Sequence, residues 1–134
     1  MASRVLVVDD EPAIRHALGR LLRREGCEVT TAATAGEALA ALETAPAGVV
    51  ILDYHLPGMS GADLGVQIVK RWPDLAGRML FVTGDPAVTL DTLPPACRSA
   101  RLMAKPFELL ELAALVAELL GSPRTDHLSQ GPAA

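Results

Sequence analysis

Aromatic side chains are nearly missing from this chain, which has one Trp, one Tyr and two Phe in 134 residues. Ala, Val and Leu are left to fill most of any core. Cysteine is scarce too: Cys27 and Cys97 have neither metal-knuckle nor redox-pair spacing. They read as small apolar residues of a reducing compartment rather than as a disulfide. No stripe of Lys and Arg is present to neutralise phosphates, and the net charge is −4, which argues against nucleic acid as a direct partner. No apolar run approaches the ~20 residues needed to cross a bilayer. A strand-like segment begins almost at the N-terminus, leaving no room for a signal peptide. Glycine-rich phosphate loops and internal repeats are also absent. The expectation is one cytoplasmic domain without membrane contact, since 134 residues, 50% of them hydrophobic, suffice for one core.

What is present is an alternation of strand-like and helix-like segments, the pattern of βα units and a doubly wound parallel sheet. Arg4 to Val8 reads as a strand. Glu11-Pro12 then opens a helix with Pro in the first turn, Ile14, Ala17, Leu18, Leu21 and Leu22 recur at helical spacing, and Gly26 ends it. Glu28 to Ala32 is a short second strand, and Thr34-Ala35-Gly36-Glu37 has the spacing of a capping box before Ala38, Leu39, Ala41 and Leu42. Gly48 to Leu52 is uniformly apolar, as a strand covered on both faces should be. Ser60 is placed to cap a third helix carrying Leu64, Ile68 and Val69 and ending near Trp72-Pro73. After a fourth strand, Arg78 to Val82, Pro94-Pro95 forbids a regular helix, so the fourth helix is expected to be short, displaced or partly loop. A fifth strand, Arg101 to Ala104, leads to a last helix with Leu109, Leu112, Ala113, Leu115, Val116, Leu119 and Leu120 on its apolar face. From Gly121 the chain turns polar, and residues 122–134 read as a flexible tail.

Four of the apolar runs stop at a residue with chemistry. The first ends in Asp9-Asp10, the third in Asp53, the fourth in Thr83 and the fifth in Lys105. In a parallel sheet these converge on the carboxyl edge, where open α/β sheets bind ligands. Three carboxylates there repel one another strongly, and a divalent cation with oxygen ligands and retained water, such as Mg²⁺, relieves the repulsion. Asp53 is then available as a nucleophile toward a phosphoryl group, with Lys105 as counter-charge and Thr83 as hydroxyl partner. Taken singly, each has a plain explanation: acidic residues favour a helix start, Asp forms turns and Thr is common in strands. Their joint arrival at four strand ends is what points to a site.

Val8-Asp9-Asp10-Glu11, the segment from Leu52 to Gly61, Val82-Thr83-Gly84 and Lys105-Pro106-Phe107 together resemble the receiver domains of two-component response regulators, across residues 4 to about 120. The resemblance implies a flavodoxin-like (βα)₅ domain over residues 1–121, strand order 2-1-3-4-5, with its site between strands one and three. It implies that Asp53 accepts a phosphoryl group from a sensor histidine kinase or a histidine phosphotransfer protein. It further implies that Asp10, Asp53 and the backbone carbonyl of His55 bind Mg²⁺ directly and Asp9 through water. Lys105 would pair with the phosphoryl group, the bond to Pro106 would be cis, and Thr83 would be the switch hydroxyl. Such a protein is a phosphoacceptor switch rather than an enzyme with a separate substrate, and its downstream partner is left open.

Two departures stand out. The position three before the lysine, usually an aromatic that turns inward with the threonine, is Leu102. Leu102 and Pro94-Pro95 both fall on the face of fourth helix, fifth strand and last helix that usually carries output. Either another surface signals, or the domain relays or drains phosphoryl groups, or Leu102 merely packs while the loop still moves. His55 and Asp85 are placed to flank the entrance and tune attack by water. Alternatives to a stand-alone switch are a receiver of a hybrid histidine kinase, a phosphorylation-independent binding module and a metal-dependent phosphohydrolase. Met1 and the short tail favour a complete small protein, and the intact Asp9, Asp10, Asp53, Thr83 and Lys105 set argues against the binding module.

Overall fold

The computed structural model describes residues 3–121, so the expected tail over 122–134 lies outside the described residues. Five parallel strands form one sheet in the order β2-β1-β3-β4-β5. They are β1 (Arg4–Val8), β2 (Glu28–Ala32), β3 (Val49–Asp53), β4 (Met79–Thr83) and β5 (Arg101–Ala104). The helices among the described residues are α1 (Pro12–Arg24), α2 (Ala35–Thr44), α3 (Gly61–Arg71) and α4 (Leu109–Gly121).

The sheet divides the core in two because successive strand residues point to opposite faces. Leu6, Val8, Val50, Leu52, Met79 and Phe81 pack with α2 and α3 through Ala38, Leu42, Leu64 and Ile68. Val5, Val7, Val49, Ile51, Leu80 and Val82 pack with α1 and α4 through Leu18, Leu22, Leu112, Val116 and Leu119. The three inner strands are therefore apolar on both faces, whereas β2 and β5, at the sheet edges, carry exposed residues.

Local chemistry fixes the ends of these elements. Gly26 has φ +93, and with the bonds Gly26 N–H to Arg23 carbonyl and Cys27 N–H to Leu22 carbonyl it closes α1 in a Schellman turn. Thr34 Oγ1 accepts the Glu37 N–H, but the Glu37 carboxylate reaches the Ala33 N–H, one residue outside the expected box. Ser60 caps α3 by accepting the Asp63 N–H.

The crossover from β4 to β5 contains no α-helix, so the fourth helix of a (βα)₅ chain is absent here. Two 3-10 turns, Leu90–Thr92 and Pro95–Cys97, replace it. The cause is Pro94-Pro95: neither residue has an N–H for a helical ladder, and Pro94 is held extended at ψ 150. Buried Leu93, Cys97 and Ala100 anchor the segment to the first half-core. The last helix also departs from expectation, for Leu109 is 41% exposed and the buried face begins at Leu112.

Candidate functional site

Main-chain bonds carry the parallel ladder one residue past the strands and fix the backbone under each site residue. The Asp9 N–H donates to the Ala32 carbonyl at 3.1 Å, the Tyr54 N–H to Val82 at 2.9 Å and the Lys105 N–H to Thr83 at 2.7 Å. The buried polar residues among those described are Asp9, Asp53 and Thr83, all three at this one edge. Burying such groups costs several kcal/mol on the order of magnitude unless each is partnered, so their grouping marks a built site.

Asp9, Asp10 and Asp53 each offer a carboxylate oxygen within 4.8 Å of the others, with Asp10 exposed. Lys105 Nζ lies 3.3 Å from Asp9 Oδ2, 3.4 Å from Asp53 Oδ2 and 3.4 Å from Glu11 Oε1. Asp9 is held above the usual carboxylate range, chiefly by burial and further by Asp53, while the Glu11 N–H and Lys105 oppose the rise. Burial works against the Lys105 ammonium, yet Asp9 and Asp53 outweigh it and raise its pKa. One cation facing this many carboxylates leaves the edge negative, and its all-oxygen donors suit a hard divalent cation.

Two further bonds shape the edge. Asp53 Oδ1 accepts the His55 N–H at 3.1 Å, which orients the carboxylate across the turn. Thr83 Oγ1 accepts the Asp85 N–H at 3.0 Å, so the hydroxyl keeps its own proton to donate. His55 Nε2 stands 4.0 Å from Asp85 Oδ2, bringing the two expected entrance residues together. The Lys105–Pro106 bond is cis, as the motif implied. Leu102 stands apart from this edge: it pairs with Phe81 across β4–β5 and packs half-buried on the first half-core. Glu11 was not among the expected site residues, and its place directly after the acidic pair was the available signal. Beside Lys105 an apolar groove of about 460 Å³ runs between α1 and the start of α4, lined by Ala13, Ile14, Ala17, Pro106, Phe107 and Leu109.

With this geometry in place, the comparison with known proteins is decisive. The family model of the response regulator receiver domain matches residues 5–117. The chain belongs to that family. It is 30% identical over 117 residues to the response regulator receiver protein CpdR of Brucella abortus, covering 87% of this chain and 96% of that one. It is 34% identical over 116 residues to the probable transcriptional regulatory protein TcrX of Mycobacterium tuberculosis, but spans only 49% of its length. Against RegX3 of Mycolicibacterium smegmatis it covers only 29% of the relative. A CheY-like receiver structure from Methanospirillum hungatei superposes with a TM-score of 0.81 at 32% identity, covering 90% of this chain and 94% of that one. TrrA of Thermotoga maritima, solved in complex with Mg²⁺ and BeF, gives a TM-score of 0.73 at 34% identity, covering 87% and 98%.

Proposed function

We propose that this receiver is a phosphorylation switch or relay element whose phosphoacceptor is Asp53. The observation that carries the reading is the buried Asp53 carboxylate with the Lys105 ammonium at 3.4 Å and the Asp9 and Asp10 carboxylates beside it. The donor is the phosphohistidine of a sensor histidine kinase or a histidine phosphotransfer protein. An Asp53 oxygen attacks phosphorus, the P–N bond breaks, and the imidazole nitrogen leaves with the electron pair and takes a proton. The phosphoryl group stays on the chain, so the protein turns over only its own adduct and is not an enzyme acting on a separate substrate.

Asp10, Asp53 and the His55 carbonyl would hold Mg²⁺, with Asp9 acting through bound water, and the ion supplies charge neutralisation for phosphoryl transfer. Lys105 holds a phosphoryl oxygen. Thr83 donates its hydroxyl to another and draws the following loop inward, because about two added negative charges are worth several hydrogen bonds at a buried edge. The apolar groove along α1 abuts Lys105 and suits a helix of the phosphodonor. The domain works in the cytoplasm, where kinases have ATP, and passes the signal to a downstream protein rather than to nucleic acid or membrane directly.

Incubation with Mg²⁺ and acetyl phosphate tests the reading. An acid-stable, base-labile phosphoryl adduct forms in the wild type, and disappears in Asp53→Asn and on chelation of Mg²⁺. A wild type that takes up no phosphoryl group under these conditions leaves the phosphorylation-independent binding module ahead.

A further inference from the structure

Glu11 is the N-cap residue of α1, yet its side chain makes no capping bond to the helix. Glutamate is also not among the side chains that serve well at that position. Instead its carboxylate reaches back over the edge, with Oε1 3.4 Å from Lys105 Nζ. Of the three carboxylates around that ammonium, Asp9 and Asp53 belong to the cation cluster, and Glu11 stands outside it. The backbone of Glu11 is tied into the same edge, because its N–H donates to Asp9 Oδ1 at 2.9 Å.

We infer that Glu11 is a positioning residue: it holds the Lys105 ammonium away from the phosphoryl position and so sets how tightly the phosphorylated edge is gripped. The inference rests on the receiver reading above. In the unphosphorylated edge Nζ is shared among Asp9, Asp53 and Glu11. Placing a phosphoryl group on Asp53 requires Nζ to turn toward the new oxygens. Asp53 moves with the phosphoryl group and Asp9 remains with the cation cluster, so Glu11 is the partner whose contact must loosen. The Glu11 side chain is 60% exposed, so the pair is screened and its effect is modest.

The probe is the Mg²⁺–beryllofluoride complex, a stable phosphoryl mimic, titrated into the protein and followed by calorimetry. Glu11→Gln removes the charge and leaves Lys105 only a neutral, weaker amide acceptor. Glu11→Asp keeps the charge but is one methylene shorter, and aspartate at an N-cap turns to the helix N–H groups instead. Both variants are expected to bind the mimic about two- to fivefold more tightly than wild type. Two outcomes overturn the inference while leaving the receiver reading standing. One is tightening in Glu11→Gln with wild-type affinity in Glu11→Asp, which reports the field of a charge and not a hold on Lys105. The other is no tightening in either variant. A wild type that does not bind the mimic at all overturns the receiver reading, and this inference with it.

Discussion

Two regions that join at the end of β4 are built in different ways. At the ends of β1, β3 and β4, the sheet ladder fixes the main chain of each site residue before any side chain is considered. Asp9, Asp53 and Thr83 are then buried, and each accepts a main-chain N–H, from Glu11, His55 and Asp85 respectively. Between β4 and β5, by contrast, two 3-10 turns are tied down by three buried apolar residues and a few side-chain bonds, such as Thr89 N–H to Thr92 Oγ1 and Arg98 Nε to the Leu93 carbonyl. The first region presents reacting groups in fixed positions. The second meets α3 at Cys97, and its main-chain bonds are isolated turn bonds rather than a ladder, so it is the cheaper of the two to rearrange. Under the proposed function, a phosphorylation signal generated at the first region would reach the second through β4 and Thr83.

The sharpest way to break this contrast is to push a methyl group into each region along α3. Gly61 opens α3 directly against the Asp53 backbone. A Cβ there would strike the Asp53 carbonyl oxygen and come within 2.8 Å of Tyr54 Cα, which are backbone atoms with nowhere to go. Gly65, one turn on, faces the crossover, and its Cβ would meet Phe81 Cζ at 2.8 Å and Cys97 Sγ at 3.0 Å, which are side-chain atoms. Gly61→Ala is expected to lose about 3 kcal/mol of stability and Gly65→Ala about 1–2 kcal/mol. Urea unfolding of the two variants measures the difference, and equal losses would mean the crossover is packed as rigidly as the site.

The next effect is one of charge. Because burial, aided by Asp53, raises the Asp9 pKa above its ordinary value, the native state binds a proton that the unfolded chain has lost over the pH range between the unfolded and the folded pKa. In that range stability rises as pH falls, and above it the ionised Asp9 carries a penalty. Asp9→Asn keeps an acceptor for the Glu11 N–H and removes the charge. In metal-free buffer the variant is expected to be more stable than wild type at pH 7, with the gap closing as pH is lowered. Thermal melts across that range check the sign. Added Mg²⁺ is expected to narrow the gap, because the wild type gains more from the cation than a variant left with Asp10, Asp53 and the His55 carbonyl. A gap independent of pH would mean that the charge of Asp9 is already compensated.

Much of this was legible from residue order, and for a physical reason. Strands buried on both faces cannot hold charge, so an apolar run that ends in Asp, Thr or Lys marks the sheet edge and the site at once. Pro94-Pro95 pointed by the same local logic to a short, displaced or partly looped fourth helix, and the structure goes further, with no α-helix there. What local order did not show is where a long side chain turns when two partners compete for it. Glu11 read as part of an acidic helix start, and only the position of Lys105, 94 residues away, gives its carboxylate another direction. Leu109 was misplaced for a similar reason: it keeps the helical period of the buried face, but α4 meets the core only from Leu112 onward.

The smallest expected effect lies where the two regions touch. His55 follows β3 and Asp85 follows β4, and their side chains stand 4.0 Å apart over the edge, 58% and 44% exposed. The Tyr54 ring lies edge-on to the imidazole at 5.1 Å, limiting its freedom to swing away. Under the proposed function, water that hydrolyses an Asp53 phosphoryl group would approach from the solvent side, past these two polar side chains. Exchanging them, with His55→Asp and Asp85→His together, retains both chemistries but reverses which loop holds each. If the pair acts by its place over the phosphoryl group, the adduct lifetime changes by a fewfold, about 1 kcal/mol or less in barrier. Labelling with acetyl phosphate in Mg²⁺, removal of the donor and timed quenching give the lifetime directly. An unchanged lifetime in the exchanged variant would assign the two residues to solvent alone and leave the duration of the signal to Lys105 and the groups that hold it.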